Sequence, residues 1–383
     1  MNSQKRAAIV AGLVAFGLTA ASCSSSSSSS TTAPATTTGD SSATTMAPET
    51  SASATTAAPA NLSATLSASG ATFPKTFYEE VIAEFTAANK GVKMTYGGGG
   101  SGKGRQDLAD QIVDWAGTDG TIKDADLSKY KGGDVLYFPT VVAPITVSYN
   151  APGVDKLMLS AETIAKIFQV QITKWNDAAI AAENPGVTLP DQAITVVHRS
   201  DSSGTTGNFT KFLEKAVGKD NGAIWTLGTD STVQWPAATQ GAEGNGGVAK
   251  LIQSTKGAIG YVDLSDATDA KLTFAQVKNK AGKYIEANLD GASAAAAGAK
   301  IADNLTYSAI WADGDAAYPI TAQTWIIAYK NQTDKAKAEA LKAFLTYVLT
   351  DGQKTAGTVN FAPLPADLAK KALAQVDMLA VKA

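Results

Sequence analysis

The sequence predicts an α/β protein with two lobes joined by long extended segments. Segments in which apolar residues alternate with period two are interleaved with segments in which they recur at helical spacing, as in α/β layering. Two extended segments, 135–149 and 318–329, are long enough to cross between lobes. The roughly 170 residues between them are enough for a domain of their own.

The clearest elements form two strand–helix units. Segment 92–96 alternates apolar and polar residues and predicts a strand, and the spacing of apolar residues over 105–115 predicts the helix after it. Segment 194–198 has the composition of a buried strand, and the apolar residues between 209 and 217 fit the following helix. Both units support the α/β assignment.

The extended segments and the C-terminal part set the predicted lobes. Pro139 and Pro144 predict that segment 135–149 bends or runs along an edge, because proline cannot donate to a sheet ladder. An amphipathic helix is predicted over 336–349, in a part too small to stand alone and so expected to rejoin the first lobe. The predicted domains are 61–141 for lobe I, 142–318 for lobe II, and 319–383 for the return to lobe I.

The N-terminal part predicts export. A basic start and a short apolar run are typical of a signal peptide over 1–22. The small residues before Cys23 resemble a bacterial lipobox, which implies lipidation of that cysteine and an anchor on the outer face of the cell membrane. Of the 37 residues in 24–60, 33 are Ser, Thr, Ala or Pro, so segment 23–60 is predicted to be a disordered tether.

Composition excludes several chemistries. One Cys and one His in 383 residues rule out an internal disulfide and the usual multi-Cys or multi-His metal centres. A charged fraction of 17% and a formal net charge of −3 argue against broad nucleic-acid binding. We therefore predict no metal, no cofactor and no nucleic-acid partner, and recognition of any charged ligand must be local.

Three polar loops carry the strongest functional signal. Segments 69–74, 97–104 and 199–206 each follow a predicted strand and precede a predicted helix, and each is rich in glycine or hydroxyl residues. Helix N-termini expose unpaired N–H groups that bind oxyanions. Each loop alone is explained by ordinary capping, with Thr72 as an N-cap-like hydroxyl. The three together, with Arg199, predict an anion site.

Three other functions are weaker alternatives. Gly97 to Lys103 fits G-x-x-x-x-G-K, but Gly104 replaces the Ser or Thr of a nucleotide-binding loop. A serine-hydrolase elbow around Ser101 would need glycine at 103, and His198 is the only imidazole available. A surface adhesin would explain the tether but leaves the three loops without a role.

The motifs together resemble the phosphate-binding lipoproteins of ATP-driven phosphate importers (PstS-like proteins), over essentially the whole folded part. The matching motifs are Gly-Ala-Thr-Phe-Pro at 70–74, the glycine-rich loop ending at Ser101, Asp-Trp-Ala-Gly-Thr-Asp at 114–119, and Arg-Ser-Asp-Ser-Ser-Gly-Thr at 199–205. The resemblance implies a type II-like, Venus-flytrap binding protein with the ligand cleft between its lobes. It implies capture of inorganic phosphate and delivery to the permease subunits of an ABC importer by a non-enzymatic monomer.

Residue by residue, the resemblance implies a phosphate shell of nine residues: Thr72, Phe73, Ser101, Asp119, Arg199, Asp201, Ser203, Gly204 and Thr205. Asp119 taken alone fits a surface or capping carboxylate. In the shell it would accept the proton that phosphate carries and sulfate lacks, so sulfate would leave a charged group unpaired. Arg199 would offer two parallel N–H groups to one oxyanion, and Asp201 would hold its guanidinium in place.

Overall fold

The computed structural model describes residues 62–381. The predicted signal peptide over 1–22, the lipidation site at Cys23 and the tether over 23–60 lie outside the described residues. The strands are β1 (Ala64–Gly70), β2 (Val92–Gly99), β3 (Trp115–Thr118), β4 (Val135–Tyr149), β5 (Met158–Leu159), β6 (Thr195–Arg199), β7 (Gln240–Ala242), β8 (Ala258–Asp263), β9 (Thr273–Phe274), β10 (Gln276–Lys278), β11 (Tyr284–Ile285), β12 (Thr321–Tyr329), β13 (Asn331–Gln332) and β14 (Ala380–Val381).

Helices alternate with these strands, as the α/β prediction requires. The α-helices are α1 (Lys75–Ala88), α2 (Gly100–Ala109), α3 (Ala161–Phe168), α4 (Ala178–Glu183), α5 (Gly204–Val217), α6 (Gly244–Ser254), α7 (Leu264–Asp269), α8 (Leu289–Ala297), α9 (Lys335–Leu349) and α10 (Ala366–Val376). No helix within residues 62–381 is long and apolar enough to span a bilayer.

One mixed sheet organises the fold, in the order β2-β1-β3-β12-β4-β8-β6-β7, with β9 also paired to β4. Strand β4 connects its two halves: Val135 to Pro144 pair antiparallel with β12, and Ile145 to Tyr149 pair antiparallel with β8. Both prolines lie in the 135–144 part of β4. Among the described residues, this part pairs with β12 on one side and forms only an isolated bridge, Val142 to Ala362, on the other. The prolines therefore occupy the half of the strand where lost ladder bonds matter least.

Helices α1, α2, α5 and α6 follow β1, β2, β6 and β7 directly. These four strands pair in parallel within their own halves of the sheet, either with each other or with β8. Ligands of open α/β sheets bind beyond the carboxyl ends of such strands. The connectivity thus directs four helix N-termini toward one crevice.

Aromatic packing buries the helices on the sheet. In the first half, Tyr96 stacks on Trp115 with ring centroids 5.3 Å apart, and Phe344 of α9 packs on the same indole. In the second, Phe209 of α5 stacks on Tyr261 of β8 at 4.4 Å. Helix α9 therefore packs on the half of the sheet that contains β2 and β3.

The predicted helix over 105–115 is wrong at both ends. Strand β2 continues to Gly99, and α2 begins at Gly100 because that residue and Gly99 take positive φ angles that other residues avoid. The helix ends at Ala109, and Gln111 adopts a φ of 59°. The apolar spacing misled because Trp115 belongs to the next strand.

Candidate anion-binding site

Contacts between the starts of four helices define the site. The Asn245 N–H of α6 donates to Thr72 Oγ1 ahead of α1 (3.2 Å), and the Gly102 N–H of α2 donates to the Ser202 carbonyl ahead of α5 (2.9 Å). The positive ends of four helix dipoles consequently meet in one small volume. Such a place stabilises negative charge without needing a basic surface patch.

Arg199 ends strand β6 and lies at the centre of this volume, with its side chain 1% exposed. Its Nε donates to Asp201 Oδ1 at 2.7 Å, and its Nη2 donates to Asp201 Oδ2. Asp201 also accepts the Gly244 N–H at 3.1 Å, so it ties the guanidinium to the start of α6. Asp201 therefore holds the guanidinium of Arg199 by its Nε–Nη2 edge, which agrees with the sequence prediction that Asp201 holds Arg199 in place.

Asn245 is a central residue of the site that was not predicted from the sequence. Its Oδ1 accepts from Arg199 Nη1 at 2.6 Å, and its Nδ2 donates to Asp263 Oδ2 at 2.7 Å and to Thr205 Oγ1 at 3.2 Å. It is fully buried, as Asp263 nearly is. A strand followed by Gly-Asn-Gly-Gly at 244–247 repeats the design of the three loops and was the signal available.

Asp263 completes the inner layer behind Asn245. Burial raises the pKa of this carboxyl well above its usual value, and the nearby Asp266 carboxylate adds to the effect. Asp263 Oδ1 also accepts the Asp266 N–H as the N-cap of α7. The carboxyl therefore fixes Asn245 from behind, while the amide oxygen of Asn245 fixes Arg199.

Asp119 follows β3 and is 2% exposed, so it is neither a surface residue nor a helix cap. Its Oδ1 accepts from Thr324 Oγ1 at 2.6 Å, and its Oδ2 accepts from Ser101 Oγ at 3.1 Å. Burial raises its pKa to about 6, against the lowering by these two hydroxyls and by Arg199 and Arg105. At neutral pH the carboxyl is ionised, and it retains acceptor capacity for a protonated ligand.

The predicted hydroxyl residues are brought together with their acceptor positions in use. Ser203 Oγ accepts the Thr206 N–H at 3.1 Å, Thr72 Oγ1 accepts the Asn245 N–H, and Thr205 Oγ1 accepts from Asn245 Nδ2. A hydroxyl that accepts in this way keeps its own hydrogen to donate. The sequence suggested that Thr72 caps α1, but Thr72 instead orients a donor, the Asn245 N–H, at the start of α6.

Backbone amides supply further donors. Within residues 62–381, the N–H groups of Phe73, Ser101, Gly204 and Thr205 have no hydrogen-bond acceptor, although all four residues are buried. Buried amides are almost always paired. The Phe73 ring is accounted for by packing on Phe361 at 5.7 Å, which leaves its amide as the part available to a ligand.

The single histidine takes no part in the hydroxyl cluster. His198 Nδ1 contacts the Arg199 carbonyl at 2.9 Å, and its ring stacks on Trp235. The Ser101 hydroxyl contacts Asp119 instead. The hydrolase alternative thus lacks its base, and among the described residues no cluster of three or more His, Cys, Asp or Glu is arranged to hold a metal.

Gly204 leaves no room for a side chain beside Asp119 and Ser101. A Cβ there would lie 2.5 Å from Asp119 Oδ2 and close to Ser101 Oγ, whereas a Cβ at Gly207 would meet nothing nearer than 3.7 Å. We expect Gly204→Ala to lower anion affinity at least about tenfold by displacing Asp119. Gly207→Ala, one turn along the same helix, should preserve affinity and stabilise the fold by up to about 1 kcal/mol. Calorimetry and thermal unfolding of both variants check this, and equal affinities would contradict it.

The raised pKa of Asp119 also predicts a pH effect on stability. Because the folded-state pKa is about 6, above the unfolded value near 4, the folded state holds this proton more tightly. Its contribution to stability is complete below about pH 4 and is lost as pH rises through about 6, by at most about 3 kcal/mol. Asp119→Asn should therefore lose less stability than the wild type between pH 4 and 6 in ligand-free denaturant titrations. Parallel curves would contradict the shift.

A mixed sheet crossed by a long central strand, with four helix N-termini around a buried arginine and carboxylate, defines a substrate-binding protein of the two-lobed class. The comparisons with known proteins agree. Residues 27–352 match the family described as the PBP superfamily domain. The chain is 33% identical to the phosphate-binding protein PstS of Xylella fastidiosa over 338 residues, covering 87% of this chain and 90% of that protein.

Two further relatives and two solved structures extend the comparison. PstS of Methanocaldococcus jannaschii is 37% identical, with 81% of this chain and 85% of that protein covered, and PstS 2 of Mycobacterium tuberculosis is 32% identical, with 82% and 87% covered. A high-affinity periplasmic phosphate-binding protein solved with phosphate (PfluDING) has a TM-score of 0.68 at 23% identity, covering 82% and 94%. The phosphate-binding protein of Stenotrophomonas maltophilia has a TM-score of 0.66 at 20% identity, also covering 82% and 94%. The chain belongs to the PBP superfamily and, within it, to the family of the phosphate-binding proteins PstS.

Proposed function

We propose that this protein captures inorganic phosphate outside the cytoplasm and delivers it to an ABC-type phosphate importer. The observation that carries the proposal is the placement of a buried acceptor, Asp119, among donors from four helix starts and Arg199. Phosphate near neutral pH carries a proton and needs such an acceptor. The PstS relatives support the same ligand by their names.

We propose as the phosphate shell the nine residues expected from the sequence: Thr72, Phe73, Ser101, Asp119, Arg199, Asp201, Ser203, Gly204 and Thr205. Four unpaired buried amides and at least three available hydroxyl hydrogens support it. Neutral hydrogen bonds contribute about 1 kcal/mol each and charge-assisted ones about 1.5–3. A dozen of them, less ordering costs, reach micromolar affinity or better, about −8 kcal/mol. We assign the protein binding, not catalysis.

The lobes proposed are 61–141 with 319–383, and 142–318. The change of partner along β4, from β12 at Pro144 to β8 at Ile145, supports a crossing close to this boundary. Closure of such lobes over phosphate would exclude water and present a distinct state to the permease. A lipid anchor at Cys23, a monomeric state and a place on the outer face of the cell membrane complete the proposal.

Calorimetric titration tests the function. Phosphate should bind with a dissociation constant in the micromolar range or below, while sulfate at the same ionic strength should bind at least about a hundredfold more weakly. Absence of phosphate binding, or equal binding of both anions, would overturn the proposal. Mass spectrometry of the exported protein tests the anchor separately, through acylation of Cys23.

A further inference from the structure

A cavity of about 230 Å³ lies directly beside the site, and two of its lining residues, Asp119 and Gly204, belong to the proposed shell. Three cations, Arg105, Lys123 and Lys211, line the same cavity. The cavity therefore adjoins Asp119, the carboxylate that we propose as the selective acceptor.

The three cations differ in how they are compensated. Lys123 forms an ion pair with Asp230 at 2.6 Å, and both side chains are exposed at the rim. Arg105 donates to Thr118 Oγ1 at 2.9 Å and has no carboxylate partner within residues 62–381. Neither Arg105 nor Lys211 therefore makes a direct ion pair with a carboxylate in residues 62–381.

Lys211 is the more unusual of these two. It lies on α5, is half-buried, and has neither an ion pair nor a hydrogen bond among the described residues. Burial lowers the pKa of its ammonium, and the neighbouring Lys215 lowers it further. Tyr307, also in the lining, has a buried hydroxyl without a partner in the described part of the chain. A partly desolvated cation without a partner costs free energy, which an anion in the cavity would recover.

We propose that this cavity is a second anion subsite, in which Lys211 and Arg105 hold a phosphate ion before it passes to the shell around Asp119. The inference rests on the proposed phosphate function and adds an entry step to it. The subsite attracts anions by charge alone and does not distinguish phosphate from sulfate. That distinction is made afterwards by Asp119, which accepts a hydrogen bond from the proton of phosphate. It provides local attraction in a chain whose net charge is negative.

Stopped-flow association of phosphate, followed by tryptophan fluorescence, tests the subsite. Lys211→Met should slow association about fivefold at low ionic strength, and Lys211→Glu should slow it further. The difference should vanish near 1 M salt, where the screening length is about 3 Å. Lys370→Met is the matched control, because Lys370 is an exposed lysine on helix α10, outside the cavity lining. Dissociation rates should stay within about twofold in all variants.

Competition with sulfate distinguishes an anion bound in the cavity from attraction by the long-range electrostatic field of Lys211. With ionic strength held constant by chloride, excess sulfate should occupy the cavity and slow phosphate association in the wild type, but not in Lys211→Met. Equal rates in the Lys211 and Lys370 variants, or no effect of sulfate on the wild type, would overturn the subsite. A wild type that binds no phosphate in calorimetry would instead overturn the proposed function.

Discussion

Asp119→Asn is expected to lower the preference for phosphate over sulfate by about a hundredfold or more. The wild-type carboxylate is buried, is ionised at neutral pH, and accepts from Thr324 and Ser101. Sulfate would bring an unprotonated oxygen against this charge, with no hydrogen between them. A buried charge left unpaired in this way costs a few kcal/mol. The asparagine amide keeps the shape and offers a donor, so the penalty against sulfate should disappear.

Calorimetry with both anions at constant ionic strength measures this ratio. Asp303→Asn is a suitable control, because Asp303 is exposed and makes no ion pair among the described residues. The ratio should stay at the wild-type value in the control. If Asp119→Asn leaves it unchanged as well, selectivity must come from another group and Asp119 serves only the structure.

Thr324→Val separates the carboxylate from its support. Thr324 donates to Asp119 Oδ1 at 2.6 Å from strand β12. Loss of this bond removes one of the two hydroxyls that lower the pKa of Asp119. The variant should therefore retain selectivity at pH 8 and lose affinity as pH falls toward 6, where more of the carboxyl becomes protonated.

The sequence was sufficient for local features and insufficient for contacts distant in the chain. The strand over 92–96 and the strand–loop–helix order around Arg199 follow from periodicity and from glycine and hydroxyl placement. The contacts of Thr324 and Asn245 do not, because their partners, Asp119 and Arg199, are 205 and 46 residues away along the chain. No local pattern encodes such a pairing, and only the order of strands in the sheet brings the partners together.

The helix predicted over 105–115 was wrong because the spacing of apolar residues does not show where a helix ends. Here the helix is followed by a residue in the left-handed conformation, Gln111. Glycine usually occupies such a position, so the sequence contained no signal for this helix end. The N-cap role expected of Thr72 was wrong for a related reason. A hydroxyl ahead of a helix fits a cap locally, but the amide of Asn245 from another helix takes its lone pair.

Arg199→Ala is expected to lower phosphate affinity by about 10² to 10⁴. Asp201 and Asn245 hold the guanidinium through its Nε, Nη2 and Nη1 atoms, so its remaining N–H groups are fixed in direction before the ligand arrives. Two charge-assisted bonds at about 1.5–3 kcal/mol each account for the expected loss. Arg199→Lys should recover only part of it, because an ammonium cannot contact Asp201, Asn245 and an oxyanion in the same planar geometry.

Lys103→Ala is the matched control for charge in this prediction. Lys103 also lies near the start of α2, but its side chain is 54% exposed and pairs with Asp107 at 2.6 Å. Its removal should change phosphate affinity less than about twofold, since exposed pairs contribute little. Thermal unfolding without ligand must accompany the titrations, because Arg199→Ala leaves Asp201 without its partner in the site. A folded Arg199→Ala protein with wild-type affinity would remove the guanidinium from the phosphate shell.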